Sequence, residues 1–311
     1  MTDKQKKALI VYNPYSGRGT IRAKIPTIKN RLSALGFTCN IAETEYPGHA
    51  KELVKNAPDE REGMLVVIGG DGTFNECLNG IMEAQITPII GYLPAGTSCD
   101  IAKSLGIPKN FEKALDIIEE DLRVSMDVGM SSQGYFTYVS ARGNYVDVSY
   151  TTSSFLKKRF GYLAYIIKGV KEFFTIKRMR ISVKIDGKRI KLSHYSLVLV
   201  LNTRQVAGFR IVSLPELDDG KMDIILFRYI PFINNLLFLF SFIFKIRNFP
   251  GIKHYRVKKA EFSTLTSNRW NLDGEGRKKG RQFIEVEPKA LRIIINKQRK
   301  YLFPNQGVNN E

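Results

Sequence analysis

Apolar and polar positions follow two different rhythms along this chain. Up to about residue 125, short apolar runs alternate with stretches whose apolar residues recur at helical spacing. Residues 8–12, 37–42, 64–68 and 88–93 read as strands. Residues 21–35, 49–56, 75–82, 99–105 and 111–120 read as helices, the first broken or kinked at Pro26. Strands alternating with helices predict a parallel sheet covered on both faces. Such sheets bind ligands beyond the carboxyl ends of their strands. Beyond this point strand follows strand, at 135–141, 179–185, 197–201, 222–227, 260–265 and 283–288. Asp-Gly turn signals fall at Asp186-Gly187, Asp219-Gly220 and Asp273-Gly274. Helical stretches at 155–175 and 234–244 interrupt the strands. The second part therefore predicts an antiparallel, sandwich-like β domain with helical insertions, over residues 126–296, after an α/β domain over residues 1–125.

Composition narrows the class of protein. With 43% hydrophobic and 25% charged residues in 311, the chain has the make-up of a soluble globular protein long enough for two cores, not of a disordered segment or coiled coil. Its 48 Lys plus Arg against 30 Asp plus Glu leave a formal charge of +18, which favours polyanionic partners: nucleic acid, anionic lipid or phosphate-bearing small molecules. No helix-turn-helix, zinc finger or RNA-binding aromatic motif appears, so nucleic acid is not expected. Cys39, Cys77 and Cys99 form no CxxC pair and suit a reducing compartment. His49, His194 and His254 form no metal-binding pair. The uncharged stretch 229–244, sixteen residues broken by Pro231, Asn234 and Asn235, is short of the roughly 20 apolar residues of a membrane span. The apolar segment 8–12 is too short for a signal-peptide core. The expected location is cytoplasmic.

Three glycine-rich loops follow strands of the first part: Asn13-Pro14-Tyr15-Ser16-Gly17-Arg18-Gly19, Gly69-Gly70-Asp71-Gly72-Thr73 and Pro94-Ala95-Gly96-Thr97. Glycine lets backbone N–H groups approach phosphate, and a following helix N-terminus adds positive potential. Three such loops on one sheet rim can converge on a triphosphate. None is GxxxxGK[ST], and no GxGxxG opens a helix after the first strand. Asp71 sits among phosphate donors, where a carboxylate repels a nucleotide unless Mg²⁺ lies between them; it also suits the N-cap of the following helix. Glu275, beside a tight Asp-Gly turn, has two readings as well: a general base for a hydroxyl, or the solvated flank of a hairpin.

Taken together, Asn13-Pro14-x-Ser16-Gly17-x-Gly19, Gly69-Gly70-Asp71-Gly72-Thr73-Phe74-Asn75-Glu76 and Leu93-Pro94-x-Gly96-Thr97-x-x-Asp100-Ile101-Ala102 resemble the three signatures of the diacylglycerol kinase catalytic-domain family, and within it the bacterial soluble lipid kinases. Sphingosine and ceramide kinases are relatives, and more distantly NAD kinases and phosphofructokinases. The resemblance runs on through Met126-Asp127-Val128-Gly129, Leu217-Asp218-Asp219-Gly220 and Asp273-Gly274-Glu275. It implies an NAD kinase- or phosphofructokinase-like nucleotide domain that the C-terminal tail, about 297–311, rejoins after a basic final strand at 291–297.

The roles it implies fall position by position. Asn13, Pro14, Tyr15, Ser16, Gly17, Thr44, Gly70, Asp71, Gly72, Thr73, Phe74, Asn75, Glu76 and Thr97 would line an ATP site. Glu275 would be the general base on a lipid hydroxyl, with Asp71 and Asp127 as its acidic partners in catalysis. Glu216, Asp219 and Lys221 would mark a structural Mg²⁺ site formed partly by backbone carbonyls. The implied activity is ATP- and Mg²⁺-dependent phosphorylation of a lipid alcohol, diacylglycerol first; a sphingoid base, ceramide, NAD or a weakly active nucleotide-binding regulator are the alternatives. Two residues depart from the family pattern: Cys99 stands where Asn is usual, and Lys103 where Arg is usual.

An enzyme acting on lipid must meet a membrane surface. Residues 155–180 carry eight Lys or Arg and one Glu among Phe155, Phe160, Tyr162, Tyr165, Phe173 and Phe174. Residues 231–247 end in an apolar helical pattern with Lys245 and Arg247. Both suit peripheral contact with an anionic bilayer, and equally a solvated basic face and a buried helix. Among assemblies, a homodimer stays open.

Overall fold

The computed structural model describes residues 6–58, 63–143, 178–203, 205–206, 209–210, 216–230, 251–264 and 269–306. The chain divides into two compact units. The first comprises Met1–Val128, Glu216–Asp219 and Pro288–Glu311; the second comprises Gly129–Pro215 and Gly220–Glu287.

The first unit opens with β1 (Lys6–Tyr12), α1 (Ile21–Ala34), β2 (Phe37–Glu43) and α2 (His49–Leu53). It continues with β3 (Met64–Gly69), α3 (Asp71–Ala84), β4 (Ile89–Pro94), α4 (Asp100–Ser104) and α5 (Phe111–Glu120). The strands pair in parallel in the order β2-β1-β3-β4. Every residue of β3 is buried, which is why this central strand reads as an unbroken apolar run rather than an alternation. On α5, Ala114, Leu115, Ile117 and Ile118 form the buried face, and the Asn110 side chain caps the helix by accepting from the Lys113 N–H at 3.0 Å. Pro26 lies inside α1, which continues to Ala34.

Then come β5 (Arg123–Ser131), β6 (Gly134–Phe136), β7 (Val139–Gly143), β8 (Met179–Ile185), β9 (Lys188–Leu201) and the two-residue pair β10 (Gln205–Val206) and β11 (Phe209–Arg210). They are followed by β12 (Met222–Arg228), β13 (Ile252–Val257), β14 (Lys259–Thr264), β15 (Arg269–Leu272), β16 (Glu275–Lys279) and β17 (Gln282–Ile294). Within the second unit the ladders are antiparallel. The long β9 pairs with β8 through its first half and with β7 and β12 through its second. Alternate residues of these strands meet in one apolar core: Met179, Ile181, Val183 and Ile185 of β8, Val198 and Val200 of β9, Ile224 and Leu226 of β12, Phe262 of β14, and Trp270 and Leu272 of β15. In the first unit the last residues of β17 join the parallel sheet, Ile293 opposite Ile90 of β4. A 3₁₀ turn, Lys297–Leu302, follows.

Several expectations change. The run 135–141 is two strands, because the buried Asp273 carboxylate takes the N–H groups of Thr137, Tyr138 and Val139 away from any ladder. The runs 283–288 and 291–297 are one strand ending at Ile294. Strand β13 was not expected: among the described residues its partner is β12, and Ile252, Tyr255 and Val257 do not alternate along it, so it shows no strand period. Strands β15 and β16 were also not anticipated. Helix α3 begins at Asp71, four residues before its apolar period becomes legible. The helical stretches expected at 155–175 and 234–244 lie outside the described residues. Among the described residues no helix is long and apolar enough to cross a membrane.

Candidate active site

The three glycine loops leave the carboxyl ends of β1, β3 and β4, and backbone hydrogen bonds stitch them together. The Asn13 N–H donates to the Ile68 carbonyl at 3.1 Å, Gly17 to Ala95 at 2.8 Å, and Ala95 to Gly69 at 2.8 Å. The loop after β2 joins the same rim: Thr44 N–H donates to the Tyr12 carbonyl at 2.9 Å, and Gly48 N–H donates to Glu76 Oε1 at 2.9 Å. Asn13, Gly17 and Thr44, far apart in sequence, thus come together through main-chain contacts, and Glu76 joins them through its side chain.

Glycine is needed here for more than phosphate approach. A Cβ built on Gly96 would lie 2.5 Å from the Gly70 Cα. The second and third loops are in backbone contact that no side chain can enter. We expect Gly96→Ala to destabilise the first unit by on the order of 1–3 kcal/mol, the usual scale for forcing atoms into a packed site. It should weaken nucleotide binding at least tenfold, read by thermal melting and calorimetry; a melt and an affinity like the parent's would show that the loops are free to part.

The side chains of these loops divide into two groups. Tyr15 is 79% exposed, and Ser16, Gly17, Gly70, Gly72 and Thr97 keep some access to solvent. Pro14, Thr73, Phe74 and Asn75 are buried. Phe74 packs against the Tyr92 ring, centroids 4.7 Å apart, so it shapes the helix beneath the loop. Gly70, in extended conformation, occupies the N-cap of α3, and Asp71 is the first helical residue. The N-cap reading of Asp71 is therefore replaced. Its carboxylate, nearly buried, reaches across to the third loop, accepting from Ser98 Oγ at 2.8 Å and, at a long 3.5 Å, from the Ile101 N–H. A carboxylate at the start of a 14-residue helix is favoured by the dipole.

The structure also accounts for Cys99. Its φ is +49°, in the left-handed region that asparagine tolerates best among side-chain-bearing residues. Its Sγ accepts from the Gly96 N–H at 3.1 Å. Burial, reinforced by Asp71, pushes the thiol up to about 11, so it serves as a neutral loop tie. Three contributors escaped sequence reasoning. Ser98 holds Asp71. The Lys109 ammonium donates to the Thr97 carbonyl. Glu43, just before Thr44, is held down to about 2 by the Arg22 guanidinium and then by the Tyr12 hydroxyl. No short motif marks any of them; only adjacency in space does.

The remaining predicted residues belong to other segments of the chain. Asp127, in the first unit, is wholly buried; its Oδ1 accepts from the Lys289 N–H at 2.8 Å and its own N–H donates to the Leu217 carbonyl at 2.7 Å. The Glu216–Asp219 segment is pinned by the C-terminal tail. Leu217 N–H donates to the Leu302 carbonyl at 2.8 Å, and Asn305 donates to Asp218 through its backbone at 2.9 Å and its amide at 3.2 Å. Lys221 and Glu275 belong to the second unit. Glu275 is exposed and begins β16 directly after the Asp273-Gly274 turn. Among the described residues no three His, Cys, Asp or Glu side chains are grouped to hold a metal. A cation near Asp71 would have one protein carboxylate and take its other ligands from phosphate and water, the habit of Mg²⁺.

Comparison with known proteins agrees with this geometry. Residues 7–131 match the diacylglycerol kinase catalytic domain, and residues 142–295 match the YegS C-terminal NAD kinase beta sandwich-like domain. The chain is 33% identical over 274 residues to a diacylglycerol kinase of Staphylococcus carnosus, covering 87% of this chain and 89% of that one. It is 32% identical over 287 residues to a diacylglycerol kinase of Staphylococcus aureus strain Newman, covering 91% and 90%. Two solved structures share the fold. One is a diacylglycerol kinase of Bacillus anthracis, with TM-score 0.72 and 22% identity over 96% of this chain and 99% of that one. The other is an NAD kinase of Archaeoglobus fulgidus, with TM-score 0.54 and 18% identity over 94% and 95%. With its glycine loops stitched on a parallel sheet, its sandwich-like second unit and relatives alike over nearly their full length, the chain belongs to the diacylglycerol kinase family of lipid kinases.

Proposed function

We propose that this lipid kinase transfers the γ-phosphoryl group of ATP, with Mg²⁺, to the free hydroxyl of diacylglycerol at an anionic membrane surface, giving phosphatidic acid. The observation that carries the reading is Asp71, a nearly buried carboxylate held by Ser98 at the meeting point of the glycine loops. A negative side chain in a phosphate-binding rim is sensible when a divalent cation stands between it and the phosphates. Bound Mg²⁺ would neutralise charge on the β- and γ-phosphoryl oxygens.

The chain's own groups do the rest. The loop N–H groups and the first turn of α3 bind and orient the phosphates. Thr44 and Glu76 fix the flank of the nucleotide site, and Asp71 orients the cation. Glu275 accepts the hydroxyl proton as the acceptor oxygen attacks the γ-phosphorus, and the bond to the β,γ-bridging oxygen breaks so that ADP leaves with its electron pair. Asp127 braces the backbone between Leu217 and Lys289. Glu216, Asp219 and Lys221 are proposed to frame a structural Mg²⁺ site through backbone carbonyls and water. The +18 charge supports attraction to anionic lipid, worth about 1 kcal/mol per basic residue near the surface.

Labelled ATP offered with vesicles containing diacylglycerol, a sphingoid base or ceramide, and with NAD in solution, tests the reading. Label is expected in phosphatidic acid, rising with the anionic phospholipid fraction and falling with salt. Label chiefly in another acceptor would reassign the substrate. Rates indifferent to both vesicle charge and salt would remove the membrane-surface part.

A further inference from the structure

Resting on the assignment of Glu275 as the base, we infer that Asp273 is a positioning residue for it: a buried, multiply hydrogen-bonded carboxyl group that fixes the hairpin on which Glu275 stands. Asp273 and Gly274 form the two-residue turn between Leu272 and Glu275, with φ of +49° and +91°. Those values define a type I′ turn, which an Asp-Gly pair supplies by local preference alone. The same chain contains a second such turn at Asp186-Gly187, φ +44° and +84°. There the aspartate is exposed and, among the described residues, accepts from the N–H groups of Lys258 and Lys259, at 3.1 and 3.0 Å.

Asp273 is different in kind. Its carboxyl group is 2% exposed; burial pushes it above the usual carboxylate range while the donors around it, among them Thr137, Tyr138 and Val139, pull it part of the way back down. Oδ2 accepts from the Thr137 N–H at 2.6 Å and Thr137 Oγ1 at 2.9 Å. Oδ1 accepts from the N–H groups of Tyr138 and Val139, each at 2.9 Å. The Asp273 N–H donates back to the Val139 carbonyl at 2.9 Å, and the Gly274 N–H donates to Asn271 Oδ1 at 2.9 Å. Burying a carboxylate is costly unless its lone pairs are filled, and a turn by itself needs no charge. Asn-Gly would form it at least as well. What the carboxyl group adds is a set of bonds that hold the corner at Thr137 and Tyr138, and Val139 at the start of β7, against the turn that follows β15. Glu275, two residues on, is thereby held on a frame with little freedom. A base must stand within hydrogen-bond reach of the proton it removes, and a displacement of about 1 Å can cost on the order of 10²-fold in rate.

The test is a kinetic cycle on the full-length protein with diacylglycerol in mixed micelles. Asp273→Asn turns one acceptor oxygen into an amide that faces donors. It should lower kcat by about 10–100-fold while KM for ATP stays within about twofold, because the ATP loops belong to the other unit. In the Glu275→Gln background, Asp273→Asn should cost nothing further, since there is no base left to misplace. A merely structural role would lower the rate by the same factor in both backgrounds, and that result would overturn the inference. Should Asp273→Asn fail to fold, Thr137→Ala removes one donor and Thr137→Ser keeps it: the first should lose kcat severalfold and the second should not, and equal rates for the two would count against the role. Asp186→Asn, at the other turn, should leave kinetics unchanged. If Glu275→Gln itself retains full activity, the base assignment falls; if it is inactive and Asp273→Asn is not, only the positioning role does.

Discussion

Glu275→Gln is expected to slow lipid phosphorylation in a single turnover by about 10²–10⁴-fold while leaving ATP affinity within a few-fold of the parent. Gln has nearly the shape of Glu and keeps an acceptor oxygen, but it cannot take up a proton at neutral pH. A lost general base typically costs 10²–10⁴-fold, felt in the chemical step. Glu275 is exposed at the first position of β16, so the substitution disturbs no packing. If the residue were only the flank of a hairpin, the change would cost at most about 0.5 kcal/mol of stability and turnover would be intact. Calorimetry of ATP binding beside rapid-quench phosphorylation separates the two. An undiminished single-turnover rate would send the search for the base to Asp71, since Asp127 is wholly buried and engaged with Lys289.

Asp71→Asn should be nearly as severe, by a different route. The amide oxygen can still accept from Ser98 Oγ, so the tie between the second and third loops survives. What disappears is the charge. Loss of one preorganised electrostatic element at a phosphoryl-transfer site costs on the order of 10²–10³ in kcat. The sign in nucleotide binding is the more telling readout. In the presence of Mg²⁺ the variant should bind ATP more weakly than the parent. With Mg²⁺ chelated it should bind at least as well, because the repulsion between carboxylate and phosphate is gone. Equal weakening with and without the cation would mean that Asp71 acts as a loop strut only.

Much of this site could be read from residue order. Glycine loops directly after buried strands need no tertiary knowledge to be recognised, and in the structure all three leave strand ends of one parallel sheet. Helix α3 starts before its apolar period is legible, because the residues Asp71 to Thr73 that open it are polar or glycine and Phe74 is the first apolar position. Cys99 departs from the asparagine usual in the third loop. Its left-handed backbone and the Gly96 N–H bond explain how a thiol fills an asparagine's place, and both depend on the folded loop.

Local pattern determined the elements that are buried on both faces or repeat at a clear period: β1, β3 and β4, α5, the apolar strands of the second unit and the Asp-Gly turns at Asp186-Gly187 and Asp273-Gly274. There, each residue's environment follows from its immediate neighbours. Tertiary structure decided everything that depends on partners remote in sequence. Asp273 meets Thr137 across 136 positions and cuts an apparent strand in two. Lys289 meets Asp127 across 162, and Gln306 meets Ser125 across 181. Strand β13 exists because β12 offers it one edge, not because its own residues demand burial. A hydrogen bond between distant groups leaves no periodicity in either segment, so such contacts are invisible until the chain has folded and brought the donors to the acceptor.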